Sequence, residues 1–573
     1  MESADSSGCS SSGARPVRLR VFDELGRART LGSGPFVSCS DRICSDRPGS
    51  GPLVFLGLGP DPAEAERIAA RRGAPGEQVY WLECPDFTRQ MPAAWAGAIP
   101  PAWIRLTPDQ VKTPPFATSA NLFRYAPGEG LFSSFWGPLL AFLEAARLFS
   151  TTEGGGGHAV RRADGDRRSR TVLLPGTDRD LLTAELEAAF RAEGFAPVRV
   201  AAPSADRSRP EHSAYPAAAS PTSSSSESGE PSKTSASSAP SLPLDDILRN
   251  ERPALFLSVN LRGLDPEGRR FRLLRACGVP VAIWCVDNPW HLLSSLRLPW
   301  WKEAALFVTD ASFVAPLRDH GASFVRHLPL GAWEPATPGR SAPASLKPVV
   351  FVGRSAFPDR DRFFAGSRLP SPLWDQALSR LDSPDPAALP HVHWWERALD
   401  VDRCWPGSAV RAAGLGAEQG AALRRALWLR AALPLGLTVF GDQGWKPLLP
   451  EGSDLRPPLD YYNGLFDVYA HARYSLNVTS LLLPAGLTQR HFDVWMAGGF
   501  LLSDATPGLE IFPDELARPI RATHPARLCV QVERLEKDPL LRPHLAEAWR
   551  ACLRQQHSYG ARVRSLLAAL SVA

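Results

Sequence analysis

The chain reads as an α/β protein built from two Rossmann-like domains. Three observations predict this. Short apolar runs alternate with helical stretches from residue 171 to 332, the same order repeats from 347 to 504, and polar residues stand where several apolar runs end. At 573 residues the chain is too long for one core, and length alone suggests three or four domains, or two large ones with insertions.

Composition narrows the class. The hydrophobic content of 44% supports a globular protein, while 55 prolines and 45 glycines promise many loops. The formal charge is only +4, and no block of like charge or RNA-binding aromatic motif occurs, so no nucleic-acid partner is expected. The nine cysteines are scattered, odd in number and never in a CxxC pair, which argues against a disulfide framework or a zinc ribbon and for a reduced, cytoplasmic setting. No run of 18 apolar residues suggests a membrane span, and the polar first 16 residues do not resemble a signal peptide. Peripheral membrane contact stays open.

Residues 1–50, rich in Ser, Gly, Arg and Asp, are expected to be a disordered tail with one strand at 17–22. A region from 51 to 335 then reads as the N-terminal Rossmann-like domain. It opens with a strand, the turn Gly57-Leu58-Gly59, a helix, and a second strand ending near Glu83. An acid about 25 residues beyond a glycine turn has the look of a nucleotide fingerprint, but the third glycine is missing and the turn also needs glycine for geometry alone. Strand-like 103–108 and a helix over 136–149 follow. The stretch 151–170 reads as a flexible spacer: its GGGGH run (154–158) lacks the Lys-Ser/Thr ending of a phosphate loop, which leaves His158 a linker residue.

Strands are expected at 171–176, 197–203, 253–260, 280–289, 304–310 and 322–332, with helices at 180–193 and 268–277 and a low-complexity disordered insertion at 204–243. Ligands of doubly wound sheets sit beyond the carboxyl ends of the strands. Asp287 with Asn288, Asp310 and His327 hold such positions. A linker over 333–346 separates this region from a second Rossmann-like domain, 347–573. There the strand at 347–355 ends in Gly353 and Arg354, where backbone approaches a phosphate or a plain turn ends the strand. A helical insertion, 371–433, carries His391 and His393 at strand-type spacing for a shared metal, with no third ligand evident.

The stretch 487–504, LTQRHFDVWMAGGFLLSD, is the one around which the domain is organised. Thr488, Gln489 and Arg490 open a helix that runs to Ala497, Gly498 and Gly499 break it, and an apolar strand ends at Asp504. A helix start gathers unpaired N–H groups, which makes Arg490 beside it a candidate pyrophosphate seat. Asp493, one turn on, is placed to accept from both hydroxyls of a ribose. An Asp in a first turn is also what the helix dipole favours.

FGDQGW at 440–445, LDYYNGLFDVYAHARYSLNVTS at 459–480 and the TQRHFD…AGGFLLSD run resemble the CgeB-type spore-protein glycosyltransferase-like family, a branch of the group 1 glycosyltransferases. The segment from PVAIWCVDNP to HLPLGA is similar to the domain often fused before it. The resemblance implies a GT-B-like fold of two facing Rossmann-like domains, with a nucleotide-sugar donor held by the C-terminal one, a glycan, protein or small-molecule acceptor by the N-terminal one, and no metal or other cofactor. It assigns Asp493 to the donor ribose and Arg490, Gly353 and Arg354 to the donor phosphates, with Thr488, Gln489, Gly498 and Gly499 in the same donor-binding stretch. One departure stands out: where many group 1 enzymes carry two glutamates with seven residues between, this chain has Ala485 and Asp493.

Glycosyl transfer without a metal asks cationic side chains to stabilise the departing diphosphate, a role for Arg490 and Arg354. A base on the acceptor hydroxyl is also needed in an inverting reaction, with Asp287 and then His327 as candidates, although strand-end Asp residues often cap turns. Two rival readings remain at this level: a non-catalytic scaffold that binds sugar nucleotides or partners, and an N-terminal methyltransferase-like activity at Gly57, Gly59 and Glu83.

Overall fold

The computed structural model describes residues 18–38, 51–72, 76–150, 169–177, 180–201, 242–334 and 345–572. They fall into two units, residues 1–165 and 166–573. Most of the spacer 151–170 and of the insertion 204–243 lies outside the described residues, as does His158.

In the first unit, β1 (Leu19–Phe22) and β2 (Ala28–Leu31) pair as an antiparallel hairpin. The buried Asp23 carboxylate closes its turn by accepting from the backbone N–H groups of Leu25 and Arg27 and from Arg27 Nε at 2.8–3.0 Å. Part of the stretch expected to be a tail is therefore a hairpin, because one carboxylate supplies the turn that the Ser/Gly-rich composition conceals. Next, β3 (Phe36–Ser38), β4 (Leu53–Leu56), β5 (Val79–Leu82), β6 (Ile104–Arg105) and β7 (Asn121–Tyr125) form a sheet in the order β3-β7-β4-β5-β6, parallel apart from β3. This sheet has its own core around Phe55, Trp81, Trp95 and Trp136. It is separate from the sheet that follows, a distinction that alternation of strands and helices does not encode.

The second unit holds two parallel sheets. The first joins β8 (Thr171–Pro175), β9 (Ala196–Val200), β10 (Leu255–Val259), β11 (Val281–Cys285), β12 (Ala305–Val308) and β13 (Phe324–His327) in the order β13-β12-β11-β10-β8-β9. The chain reverses direction of travel between β8 and β10. The second sheet joins β14 (Val349–Val352), β15 (Leu437–Phe440), β16 (Asp454–Arg456), β17 (Tyr474–Asn477), β18 (Leu501–Asp504) and β19 (Arg521–Ala522) in the order β16-β15-β14-β17-β18-β19, with the reversal between β14 and β17. Such reversal points open the crevice in which doubly wound sheets take ligands. The α/β class with two Rossmann-like sheets is thus as expected.

The carboxyl edges of the two sheets face each other. Asn288 Nδ2, beyond β11, donates to Leu482 O at 3.0 Å, and Asp310 Oδ2, beyond β12, accepts from Ala485 N at 2.9 Å. One buried apolar cluster runs through both lobes, from Val172 and Trp284 to Phe492 and Trp549. The last helix, Tyr559–Ala569, returns to the N-lobe and packs on helix Thr183–Ala192. Between β14 and β15 the chain is helical as read, with helices Ser371–Leu378, Val392–Ala398 and Ala409–Ala432.

Candidate functional site

The helix Arg490–Met496 starts and stops for local reasons. Phe492, Val494 and Trp495 are buried, and Trp495 stacks on Trp549 with ring centroids 5.0 Å apart. Gly498, at φ +86°, ends the helix: its N–H donates to Trp495 O, and that of Gly499 donates to Val494 O. A Cβ on Gly499 would lie 2.4 Å from Tyr469 O. Both glycines precede β18 and so stand at the amino edge of the sheet, away from the crevice. Here the pair stops a helix and lets two backbones approach.

At the helix start, the backbone N–H of Thr488 donates to His491 Nδ1, and those of His491, Phe492 and Asp493 donate to carbonyls of Thr488 and Gln489. These N–H groups are therefore not free for a phosphate. Thr488 Oγ1 donates to Asn477 Oδ1 at 2.8 Å. Gln489 is saturated: its Nε2 donates to Gly331 O at 3.0 Å and to Asp493 Oδ1 at 2.8 Å, and its Oε1 accepts from Tyr559 at 2.8 Å. It ties the C-lobe to the N-lobe and to the last helix.

Arg490 holds the crevice together. Its guanidinium donates to Val352 O at 2.6 Å and to Asn477 Oδ1, joining the ends of β14 and β17, and lies 5.3 Å from the Phe351 ring centroid. Beside it, Gly353 donates its N–H to Phe440 O at 2.9 Å and accepts from Trp445 Nε1 at 2.8 Å; a Cβ there would come 3.2 Å from Arg490 Nη2. The next residue, Arg354, lends its carbonyl to the half-buried Arg425 at 3.0 Å, while its own side chain has no hydrogen-bond or ion-pair partner among the described residues. Asp442 completes the strand end by accepting from Ser355 N at 3.0 Å and Ser355 Oγ at 2.6 Å.

Asp493 is only 1% exposed, and burial raises its pKa to about 8 against the opposing pull of Gln489, Tyr461 and Arg490. Glu185, in the first turn of helix Thr183–Ala192, raises it further from the N-lobe. Glu185 is itself fully buried and accepts from the Tyr462 hydroxyl at 2.8 Å. Sequence reasoning missed Glu185, Tyr461 and Tyr462. The YY pair at 461–462 was a usable signal; its partner 277 residues away was not.

On the N-lobe, Asp287 Oδ2 accepts from Asn260 Nδ2 at 2.7 Å at the ends of β10 and β11, and burial raises its pKa against Asn260 and the nearby Arg262. Arg262, also unforeseen, lies beside Gly176 at the β8–β10 reversal and 3.5 Å from Asp180. His327 is exposed, with Nε2 3.3 Å from Thr309 O, and desolvation lowers its pKa. Asn288 caps the helix Pro289–Leu293. His391 and His393 are not on a strand. His391 caps helix Val392–Ala398, and His393 bonds Glu396 at 2.8 Å and Ser312 at 3.0 Å. Among the described residues no group of three or more His, Cys, Asp or Glu side chains could hold a metal ion, and no helix is long and apolar enough to cross a membrane.

In the first unit, Glu83 accepts from Leu58 N at 2.8 Å and from Cys84 N at 2.9 Å. Its carboxyl is 3% exposed and raised by burial to about 7. The Tyr125 ring covers Gly59 so closely that a Cβ there would meet it at 2.8 Å, and Trp95 Nε1 donates to Gly59 O at 2.7 Å. The glycine turn wraps its own acid, whose two oxygens each accept a backbone N–H of the turn and the strand end.

Among curated proteins, none matches the chain. Solved structures with a similar course include T4 phage β-glucosyltransferase in complex with UDP and Mn2+ (9% identity, TM-score 0.35, 70% of this chain and 99% of that one). A glycosyltransferase from Rickettsia africae (10%, 0.33, 71% and 99%) and α,α-trehalose 6-phosphate synthase from Burkholderia multivorans (12%, 0.32, 71% and 97%) are others. At these scores the fold description rests on the sheets themselves. The family model described as "Glycosyl transferase-like" matches residues 424–568, which include β15 to β19, Arg490 and Asp493. Over residues 424–568, then, the chain is similar to the glycosyl transferase-like family.

Proposed function

We propose that the second unit moves a sugar from a nucleotide-sugar donor to a hydroxyl-bearing acceptor. Arg354 carries this reading. It is a cation without a protein partner among the described residues, held at the end of β14 beside the reversal of the sheet, where a doubly wound sheet takes its ligand. Arg490 fixes the geometry of that crevice from the other side, and the two cations favour the diphosphate that gathers charge as the glycosidic bond breaks.

In a single displacement the acceptor oxygen bonds to the anomeric carbon, the bond from that carbon to the diphosphate oxygen breaks, and the nucleoside diphosphate leaves with the electron pair. Asp287 takes the acceptor proton. Burial makes its carboxylate more basic than an exposed one, and Asn260 orients it. His327, the second candidate, ends β13 and has Thr309 O as its hydrogen-bond partner.

The test is release of nucleoside diphosphate from UDP-, GDP-, dTDP- and ADP-sugars in the presence of mixed glycan and alcohol acceptors. Turnover with one donor, lowered about 10²–10⁴-fold in Asp287→Asn, supports the proposal. The rival reading is a scaffold that binds sugar nucleotides or partners without transferring a sugar. Tight nucleotide-sugar binding with no turnover under any acceptor would select that reading.

A further inference from the structure

We infer that Ser312 and His393 are positioning residues for the proposed transfer: they set where the loop after β17 stands against the N-lobe, and so how the donor meets Asp287. This rests on the proposed nucleotide-sugar site. The loop, residues 480–487, follows the carboxyl end of β17, the strand beside β14, whose end carries Arg354. It therefore borders the same crevice.

Three parts of the chain, far apart in sequence, are bonded pairwise there. Beyond β12 on the N-lobe, Asp310 Oδ2 accepts from Ala485 N of the loop at 2.9 Å. In the insertion between β14 and β15, Val392 N, at the start of its helix, donates to Leu481 O of the loop at 2.9 Å. The third side joins the N-lobe to the insertion: Ser312 Oγ donates to Asp310 Oδ1 at 2.6 Å and lies 3.0 Å from His393 Nε2. The His393 ring packs on Phe313 with centroids 4.8 Å apart, and Glu396 orients it by accepting from Nδ1 at 2.8 Å. Ser312 is thus the shared corner. One hydroxyl meets both the carboxylate that holds Ala485 and the imidazole of the helix that holds Leu481. Asp310 is fully buried with both oxygens taken, so it cannot shift without Ser312 and Ala485. The loop is also bonded to the neighbour of the proposed base, since Asn288 Nδ2 donates to Leu482 O at 3.0 Å. A closed triangle of hydrogen bonds has fewer ways to move than a single contact, so the loop and Asp287 keep one alignment. Reacting groups about 1 Å out of line cost on the order of 10²-fold in rate. Affinity for the nucleoside diphosphate, held at the end of β14, does not depend on that alignment.

The test measures kcat and KM of the full chain for the nucleotide sugar it turns over among UDP-, GDP-, dTDP- and ADP-sugars, and calorimetric affinity for the matching nucleoside diphosphate. The proteins are wild type, Ser312→Ala, Ser312→Thr, His393→Phe and the double variant Ser312→Ala with His393→Phe. Ser312→Ala is expected to lower kcat about 10–100-fold while KM and diphosphate affinity stay within about twofold of wild type. Ser312→Thr keeps the hydroxyl and is expected to restore most of the rate. His393→Phe keeps the ring on Phe313 and is expected to lose about as much as Ser312→Ala, and the double variant no more than either, because both cut one chain of contacts. Either single variant suffices where the other does not fold, and an unchanged binding stoichiometry for the diphosphate separates slowed chemistry from loss of folded protein. An unchanged kcat in a single variant, a fall in kcat matched by weaker diphosphate binding, or additive losses in the double variant overturns this inference and leaves the transferase reading standing. Wild type that turns over no donor overturns the transferase reading itself.

Discussion

Arg490 donates to Asn477 Oδ1 and, through its other terminal nitrogen, to Val352 O, so one guanidinium spans the gap where the second sheet reverses. Lysine offers a point charge and no fork. Arg490→Lys is expected to lose one of the two hydrogen bonds and to lower stability by about 1–3 kcal/mol, read as a lower urea midpoint with an unchanged slope.

Asp493 predicts a pH dependence. Its pKa rises from an ordinary 3.8 to about 8 on folding, so its contribution to stability is fully present below about pH 4 and is lost as pH rises toward 8. In that window one such proton changes stability by up to about 1.4 kcal/mol per pH unit. Asp493→Asn is expected to flatten that slope between pH 5 and about 8, measured by urea unfolding at each pH.

His291 acts in the opposite direction. It is fully buried, neither ring nitrogen has a partner, and burial lowers its pKa from 6.5 to about 3. Its contribution is therefore present above pH 6.5 and lost as pH falls toward 3. The ring fills the space over Gly414 so completely that a Cβ there would lie 1.9 Å from Nε2. Gly414→Ala is expected to destabilise the second unit by about 1–3 kcal/mol, and His291→Leu to remove part of the acid-side loss in the same titration.

Much of this was legible in the sequence, and the rest was hidden for physical reasons. The helix at 490, its glycine stop and the strand ending at Asp504 follow from local periodicity, and they stand within a residue of expectation. That Gly498 and Gly499 stand just before β18, at the amino edge of its sheet, was hidden because proximity along the chain says nothing about which edge of a sheet a turn occupies. His391 and His393 are two residues apart on a strand or a helix alike, and only the helix start shows that one caps it. Glu185 with Tyr462, and Ser312 with His393, join residues 277 and 81 positions apart, a distance at which pattern carries no signal.

Glu83 offers a check on the rival N-terminal activity. If the carboxylate serves only the glycine turn, Glu83→Ala strands the Leu58 and Cys84 N–H groups and costs about 1–3 kcal/mol. S-adenosylmethionine is then expected to shift the melting temperature of neither wild type nor variant.

In the proposed reaction the donor diphosphate sits at the end of β14 on Arg354. This placement is tested most directly by thermal unfolding of wild type and Arg354→Ala against UDP-, GDP-, dTDP- and ADP-sugars. A donor at about 100 times its dissociation constant adds roughly 2.7 kcal/mol, a shift of about two or more degrees for a reversible transition. Such a shift is expected with one donor in wild type, with an equal melting temperature of the two proteins without donor and a shift largely lost in Arg354→Ala. The same shift in both proteins would contradict that placement.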